Sequence, residues 1–351
     1  MINWGGKKWR PGTPNRKVPI NQSIEDLMKP LGEKQFKGNV WQAVMNVPQD
    51  NVVPDVTPSP TPTNTETPTQ TPTNTPTNTP TNTGTPTPTP TSSPLTPGLA
   101  EANIYLESVL LAGGTGITET VSAATQTFFT TLFSIGAWDS LTAFYPMIGG
   151  IQGSNAINGK NPGTNNLTFN GGWTYSSNGI QGNGSTGYAE TGINDNTLGG
   201  NRHISVYSRT NVSSSIIDIG TYNSVTTYGT YLNLRFFDGS AVRTKAVVGV
   251  DPSQFGTYNN SNSTGFYIGN MEAPTQKQIW KNGTLVNTQN TGQGYANFPI
   301  YIGAINTSGT AQAFSNREVC FASLGTNIGV WGNSFSNAVN TLQTSLGRNT
   351  Y

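Results

Sequence analysis

Tyr231-Leu232-Asn233-Leu234-Arg235-Phe236 alternates without a break. Leu232, Leu234 and Phe236 fall on one face and Asn233 and Arg235 on the other, the period of a β-strand with one buried side. The same period runs through the chain from Trp138 onward. Gln278-Ile279-Trp280 and Leu285-Val286 flank Lys281-Asn282-Gly283-Thr284, where Asn-Gly supplies the positive φ of a tight hairpin. Phe266-Tyr267-Ile268-Gly269 and Phe298-Pro299-Ile300-Tyr301-Ile302-Gly303 read as strands stopped by glycine. Glu318-Val319-Cys320-Phe321-Ala322 alternates too, which makes Cys320 a half-buried strand thiol. It is the only cysteine, so the chain forms no intrachain disulfide and no zinc cluster. Charged residues make up 10% of the 351 and glycine supplies 41. Low charge with Gly, Asn, Ser and Thr turns points to many short strands.

Helical spacing appears on both sides of this region. Val121, Ala124, Phe128, Leu132 and Ile135 form one stripe, with Thr118 or Thr120 as cap and Gly136 just past the end. A shorter helix is expected around Ala100 to Leu111. Phe335, Val339, Leu342 and Leu346 predict a C-terminal helix capped by Asn333 or Ser334 and stopped at Gly347. These helices read as packing or oligomerisation elements.

From Pro54 to Pro97 the chain is almost wholly Thr, Pro and Asn, with Thr-Pro-Thr-Asn repeated in tandem from Thr71 to Asn82. Frequent proline removes backbone donors, and little apolar surface is present to offset the entropy of ordering. The segment is a semi-rigid spacer that reaches roughly 100 Å at about 3.1 Å per residue. Ahead of it, residues 1–50 carry Lys7, Lys8, Arg10, Arg16, Lys17, Lys29, Lys34 and Lys37 against four acids, while the whole chain has net charge +1. This basic head, with Trp4, Trp9 and Trp41, is too short to fold well alone and is expected to order on a partner. Ile24–Met28 and Phe36–Val47 are its short helical candidates. Met1 to Lys8 lacks the apolar run of a secretory signal, and no stretch is apolar enough to span a bilayer. The expected division is an attachment segment at 1–50, a linker at 51–98, a helical segment at 99–137 and a β-domain at 138–351.

Catalytic chemistry has no seat in this pattern. A glycosidase needs two carboxylates close together, and the acids after the spacer stand singly. His203 is the only histidine, and no Gly-x-Ser-x-Gly elbow accompanies it, so a structural role is expected. Gly179, Gly182 and Gly184 sit between strands and not before a helix, so phosphate binding is not expected. No cofactor is called for. A single loop calcium through Asp195, Asp218 or backbone carbonyls is left open. Tyr222, Tyr228, Tyr258 and Tyr295 fall in Gly/Asn/Thr-rich loops, where with Asn259 and Asn260 they are candidates to stack on and hydrogen-bond a sugar. Trp173 and Trp280 are assigned to the core.

Gly182-Asn183-Gly184-Ser185-Thr186-Gly187-Tyr188-Ala189 resembles the opening strand of concanavalin/laminin-G-like jelly rolls. His203-Ile204-Ser205-Val206-Tyr207 resembles the next core strand of that family, and Ile279 to Val286 and Ile300 to Gly303 resemble its later hairpin and strand. The flanks Trp138 to Pro146, Leu167 to Thr174, Phe321 to Gly325 and Val339 to Arg348 are similar to fibre and appendage proteins of tailed bacteriophages, including crAss-like phages. The resemblance implies a mainly β fold, an antiparallel two-sheet jelly-roll sandwich with a short helical segment before it and a helix after it. It also implies a structural virion protein, a head fibre or decoration protein on the particle surface, assembled in the host cytoplasm. Trp4, Lys7, Lys8, Trp9, Arg10 and Trp41 would attach it to capsid or other virion proteins. A homo-oligomer, trimer or dimer, is expected through Val121, Phe128 and Leu132, with a host-surface or mucosal glycan as further partner and neither membrane nor nucleic acid. The alternatives are a tail-fibre receptor-binding protein, a secreted carbohydrate-binding module on a Thr/Pro linker, and a glycoside hydrolase.

Overall fold

The computed structural model describes residues 96–251, 253 and 256–351. The attachment residues Trp4, Lys7, Lys8, Trp9, Arg10 and Trp41, the two short helical candidates near them and nearly all of the Thr/Pro spacer lie outside the described residues.

Two β-sheets face each other, and the strands are numbered in chain order. The first sheet runs β13 (Thr284–Asn290), β12 (Gln276–Lys281), β11 (Gly265–Ala273), β6 (Arg202–Ser208), β17 (Glu318–Thr326), β4 (Gly179–Gly182), β3 (Trp173–Ser176). β1 (Leu141–Tyr145) also pairs with β17. The second runs β10 (Gly256–Asn259), β9 (Val242–Val250), β8 (Gly229–Phe237), β7 (Ile219–Tyr222), β14 (Pro299–Ile302), β5 (Tyr188–Asn194), β2 (Thr168–Asn170). The hairpin of β15 (Ile305–Thr307) and β16 (Thr310–Gln312) continues it, β15 lying parallel to β7. All other pairings are antiparallel, giving the mainly β sandwich expected.

Leu232 and Leu234 point into the space between the sheets with Ile204, Val206, Ile302, Ala322 and Leu324. Phe236 does not share that burial. The register slips between Asn233 and Phe236, leaving Phe236 half-buried and Phe237 exposed. The hairpin turn behaves as its sequence dictates: Lys281 pairs with Thr284, and Asn282 and Gly283 have φ of 50° and 79°. Gly269 does not stop its strand, which continues to Ala273. A Cβ at Gly269 would lie 3.0 Å from Leu232 and 3.1 Å from Val248, so this glycine permits close approach of the two sheets.

Three helices cover the outer face of the first sheet. They are α1 (Leu99–Leu111), α2 (Glu119–Ser134) and α4 (Gly332–Ser345); the one-turn α3 (Gln152–Asn155) lies between β1 and β2. The Thr118 hydroxyl caps α2 by accepting from Val121 N at 3.3 Å, and Gly136 takes φ 76° just after it. No side chain caps α4, which starts at Gly332, ahead of the expected Asn333 or Ser334. Phe128, Phe129, Phe144, Phe266, Phe321 and Phe335 meet beneath this layer; Phe128 lies 5.7 Å from Phe321 and 5.9 Å from Phe144.

That packing corrects two expectations. Phe128 and Leu132, expected at a subunit contact, are buried against their own sandwich, with Val121 packed beside them. Cys320 is fully and not half buried, because its strand has helices on one side and the second sheet on the other. Burial pushes its thiol up to about 12.

Candidate functional site

At one end of the sandwich, a 3₁₀ turn after β5 carries Asp195, and β6 begins with Arg202. Both are fully buried. The Asp195 carboxylate accepts from Asn297 N at 2.7 Å, Ala296 N at 3.0 Å and the Thr230 hydroxyl at 3.2 Å. Arg202 Nη2 lies 3.6 Å from Asp195 Oδ2. The same Nη2 donates to the Gly294 carbonyl and Nη1 to those of Gly199 and Gly200, and the Tyr295 ring centroid sits 4.4 Å from the central carbon of the guanidinium. Burial lowers the Arg202 pKa, and the adjacent Asp195 opposes that.

This bracket fixes the 293–297 loop. Gln293 Nε2 donates to Gly200 O at 2.8 Å, Asn223 Nδ2 to Ala296 O at 2.9 Å, and Gly294 N to Gly249 O at 2.6 Å. The Tyr228 ring lies so close over Gly294 that a Cβ there would run into it. Tyr228 and Tyr295 thus flank one glycine, both partly exposed, on a loop anchored by buried polar bonds. Tyr222, at the end of β7, packs beside Ile217, Tyr231 and Ile305 and stays partly exposed. Asp251 follows β9 at this end; bonds from the Ser253 and Thr227 hydroxyls and Ser253 N hold its carboxyl down at about 2. The arrangement offers aromatic faces and neutral amides on a fixed frame, which suits a sugar ring.

The other candidates lie elsewhere. β8 and β9 pair from Gly229↔Val250 at the Tyr228 end to Phe237↔Val242 at the far end, and Asn259 pairs with Arg243 near the latter. Tyr258 is partly exposed there and Asn259 exposed. Asn260 is buried, which corrects its assignment as a ligand contact. Its amide donates to Leu234 O, the Thr244 hydroxyl and the Tyr267 hydroxyl, and its oxygen accepts from Lys281 Nζ at 2.7 Å. The six candidate residues are therefore divided between two ends.

Asp218 serves the far end. Arg317 Nη1 donates to both its oxygens at 2.7 and 2.9 Å, and Ser315 Oγ and Leu234 N also donate to it. Asp195 and Asp218 are thus saturated by donors of their own chain, and neither is open to a calcium ion. Among the described residues, no group of three or more His, Cys, Asp and Glu is placed to hold a metal.

His203 is buried in the first sheet. Its Nδ1 donates to Thr326 O at 2.6 Å, and Nε2 lies 3.0 Å from the Ser323 hydroxyl, itself 2.6 Å from that of Ser205. Burial pushes the imidazole down to about 4. All three side chains are inaccessible, so this serine–histidine contact braces β6 against β17. The glycine-rich 182–187 turn spends its Ser185, Thr186 and Gly187 amides on Asn183 Oδ1, leaving no cradle for a phosphate. Trp173 and Trp280 are half-buried and pack against the two main cores.

No protein-family model and no curated protein sequence matches the chain. Solved structures with partial likeness include domain 4 of AbnA, an extracellular arabinanase of Geobacillus stearothermophilus seen with arabinotriose. It shares 11% identity over 56% of this chain and 98% of that one, with a TM-score of 0.40. A structure of botulinum neurotoxin type C, described as entering cells through two ganglioside molecules, shares 12% over 60% and 53%, with a TM-score of 0.42. The NanB sialidase of Streptococcus pneumoniae shares 12% over 40% of this chain, which spans about a quarter (26%) of the sialidase, with a TM-score of 0.31.

Proposed function

We propose that this chain is a non-catalytic adhesion protein of a phage particle, a head fibre or decoration protein. Residues 1–50 attach it to the capsid, the Thr/Pro spacer holds the sandwich away from the surface, and the Tyr228–Tyr295 end binds a host-surface or mucosal glycan. The observation that carries the glycan reading is the pair of half-exposed tyrosines flanking Gly294 on a loop tied down by Arg202 and Asp195. A fixed loop loses little conformational freedom on binding, so contacts to a flexible sugar are not offset by ordering the protein. The virion reading rests on the sequence: a basic, tryptophan-bearing head, a long spacer and an appendage-like β-domain.

Two measurements test the parts separately. Glycan-array screening of the whole protein should give a saccharide whose binding is weakened in Tyr228→Ala and in Tyr295→Ala; no bound glycan removes the adhesion role. Mass spectrometry of purified particles should find the chain at stoichiometric copy number. Its absence would favour the secreted carbohydrate-binding module, and labelling at the tail would favour the tail fibre.

A further inference from the structure

Helix α1 is apolar on more than one side. Ala102, Tyr105, Leu106 and Val109 are buried against the rest of the molecule. Ile104, Leu110 and Leu111 point outward and are 55%, 54% and 81% exposed. A helix apolar on opposite faces is stable in water when both faces are covered. In the same helical layer, α2 and α4 part to leave an open groove of about 500 Å³. Its floor is Phe128 and Leu342, and its walls are small side chains, among them Ala123, Thr127, Ala338 and Thr341, with Glu119 also lining it.

We propose that two copies of this chain join through their helical layers about a two-fold axis, the α1 ridge of each seated in the α2–α4 groove of the other. Ridge and groove both belong to this chain, so a second copy supplies the complement of each with no further partner. A two-fold contact satisfies both at once and closes, with no surface left to propagate a filament. The chain outside the described structure fits this occupant. Residues 1–95 join at Thr96, directly before α1, so both leaders emerge beside the interface. This contact centres on Ile104, Leu110 and Leu111 of α1; of the expected stripe it meets only Phe128, at the groove floor, while Leu132 is buried within its own chain.

Sedimentation equilibrium of the full chain tests it. The wild type should be a dimer at micromolar concentration. Leu110→Asp with Leu111→Asp spoils the ridge, and Thr127→Trp fills the groove; all three positions are exposed, so the variants should melt as the wild type does. Each variant alone should dimerise at least tenfold more weakly. Mixed together, they should recover part of the association, because one intact ridge then meets one intact groove. A monomeric or trimeric wild type overturns the proposal, as does a dimer that neither variant weakens or a mixture that regains nothing. None of these outcomes depends on glycan binding.

Discussion

Each end of the sandwich is closed by a buried arginine–aspartate pair, and the two pairs are built differently. At the far end, Arg317 grips both oxygens of Asp218 at 2.7 and 2.9 Å and uses its other terminal nitrogen on the Val212 and Arg235 carbonyls. At the tyrosine end, Arg202 stands 3.6 Å from Asp195 and spends its donors on the carbonyls of the 199–200 and 293–295 loops. The tight pair locks strands together. The looser pair holds up a surface. A buried ion pair adds little net stability over apolar packing, but breaking one is costly. The difference in geometry therefore separates a structural closure from a platform.

The largest expected effect breaks the tight pair. Asp218→Ala leaves the Arg317 guanidinium buried without its counter-ion and should cost about 3–5 kcal/mol in denaturant unfolding. Asp195→Ala should cost less, about 1.5–3 kcal/mol for lost charge-assisted bonds, because Arg202 keeps its carbonyl partners. Equal losses at the two ends would erase the distinction.

A second test separates the ends from the middle. His203 is neutral in the fold, its pKa depressed by burial from the ordinary 6.5 to about 4. Between these values the unfolded chain binds the proton and the folded chain does not, so stability rises with pH through this window. Lowering the pH from 6.5 to 4 should remove about 3 kcal/mol, at 1.36 kcal/mol per pKa unit. His203→Gln should flatten this part of the pH–stability curve while both Arg–Asp ends stay intact. An unchanged slope would move the acid sensitivity to another group.

How far the sequence foretold these features follows from what each one depends on. Strand period as far as Leu234, the Asn282–Gly283 turn and the Thr118 cap are local, and each stands where the residues imply. Arg202 carries no such local signal, because nothing near it in sequence indicates that Gly294, ninety-two residues away, will accept from it. Arg348 is similar. Following Gly347, it sits where a solvated cation at a helix end would be, yet it is buried and donates to the Pro146, Met147, Ser177 and Cys320 carbonyls. Burial lowers its pKa, and among the described residues no carboxylate is hydrogen-bonded to it. Loop composition picks out exposed tyrosines but does not encode which loops meet. Composition groups Tyr228 with Tyr258; the pairing of β8 with β9 parts them.

That parting gives the smallest and most discriminating prediction. If the platform end binds glycan, Tyr228→Ala and Tyr295→Ala should each weaken it by about 1–2 kcal/mol, the general scale of an aromatic contact. Tyr258→Ala should leave affinity unchanged, since Tyr258 stands at the far end of the strands. Asn260→Ala should lower stability, because it removes the bonds to the Leu234 carbonyl, the Thr244 and Tyr267 hydroxyls and Lys281, and should leave the sugar contact alone. Arg202→Met should act on both: its loss frees the 293–297 loop, so affinity falls although the guanidinium lies beneath the surface. The rim carboxylate Asp251 is held near 2 and stays ionised, so binding should be level from pH 6 to 8. Titration calorimetry of these five variants with one array-identified saccharide reads every term. If Tyr258→Ala weakens binding as much as Tyr228→Ala, ligand contacts lie at both ends, and the contrast between a closing pair and a supporting pair no longer marks the site.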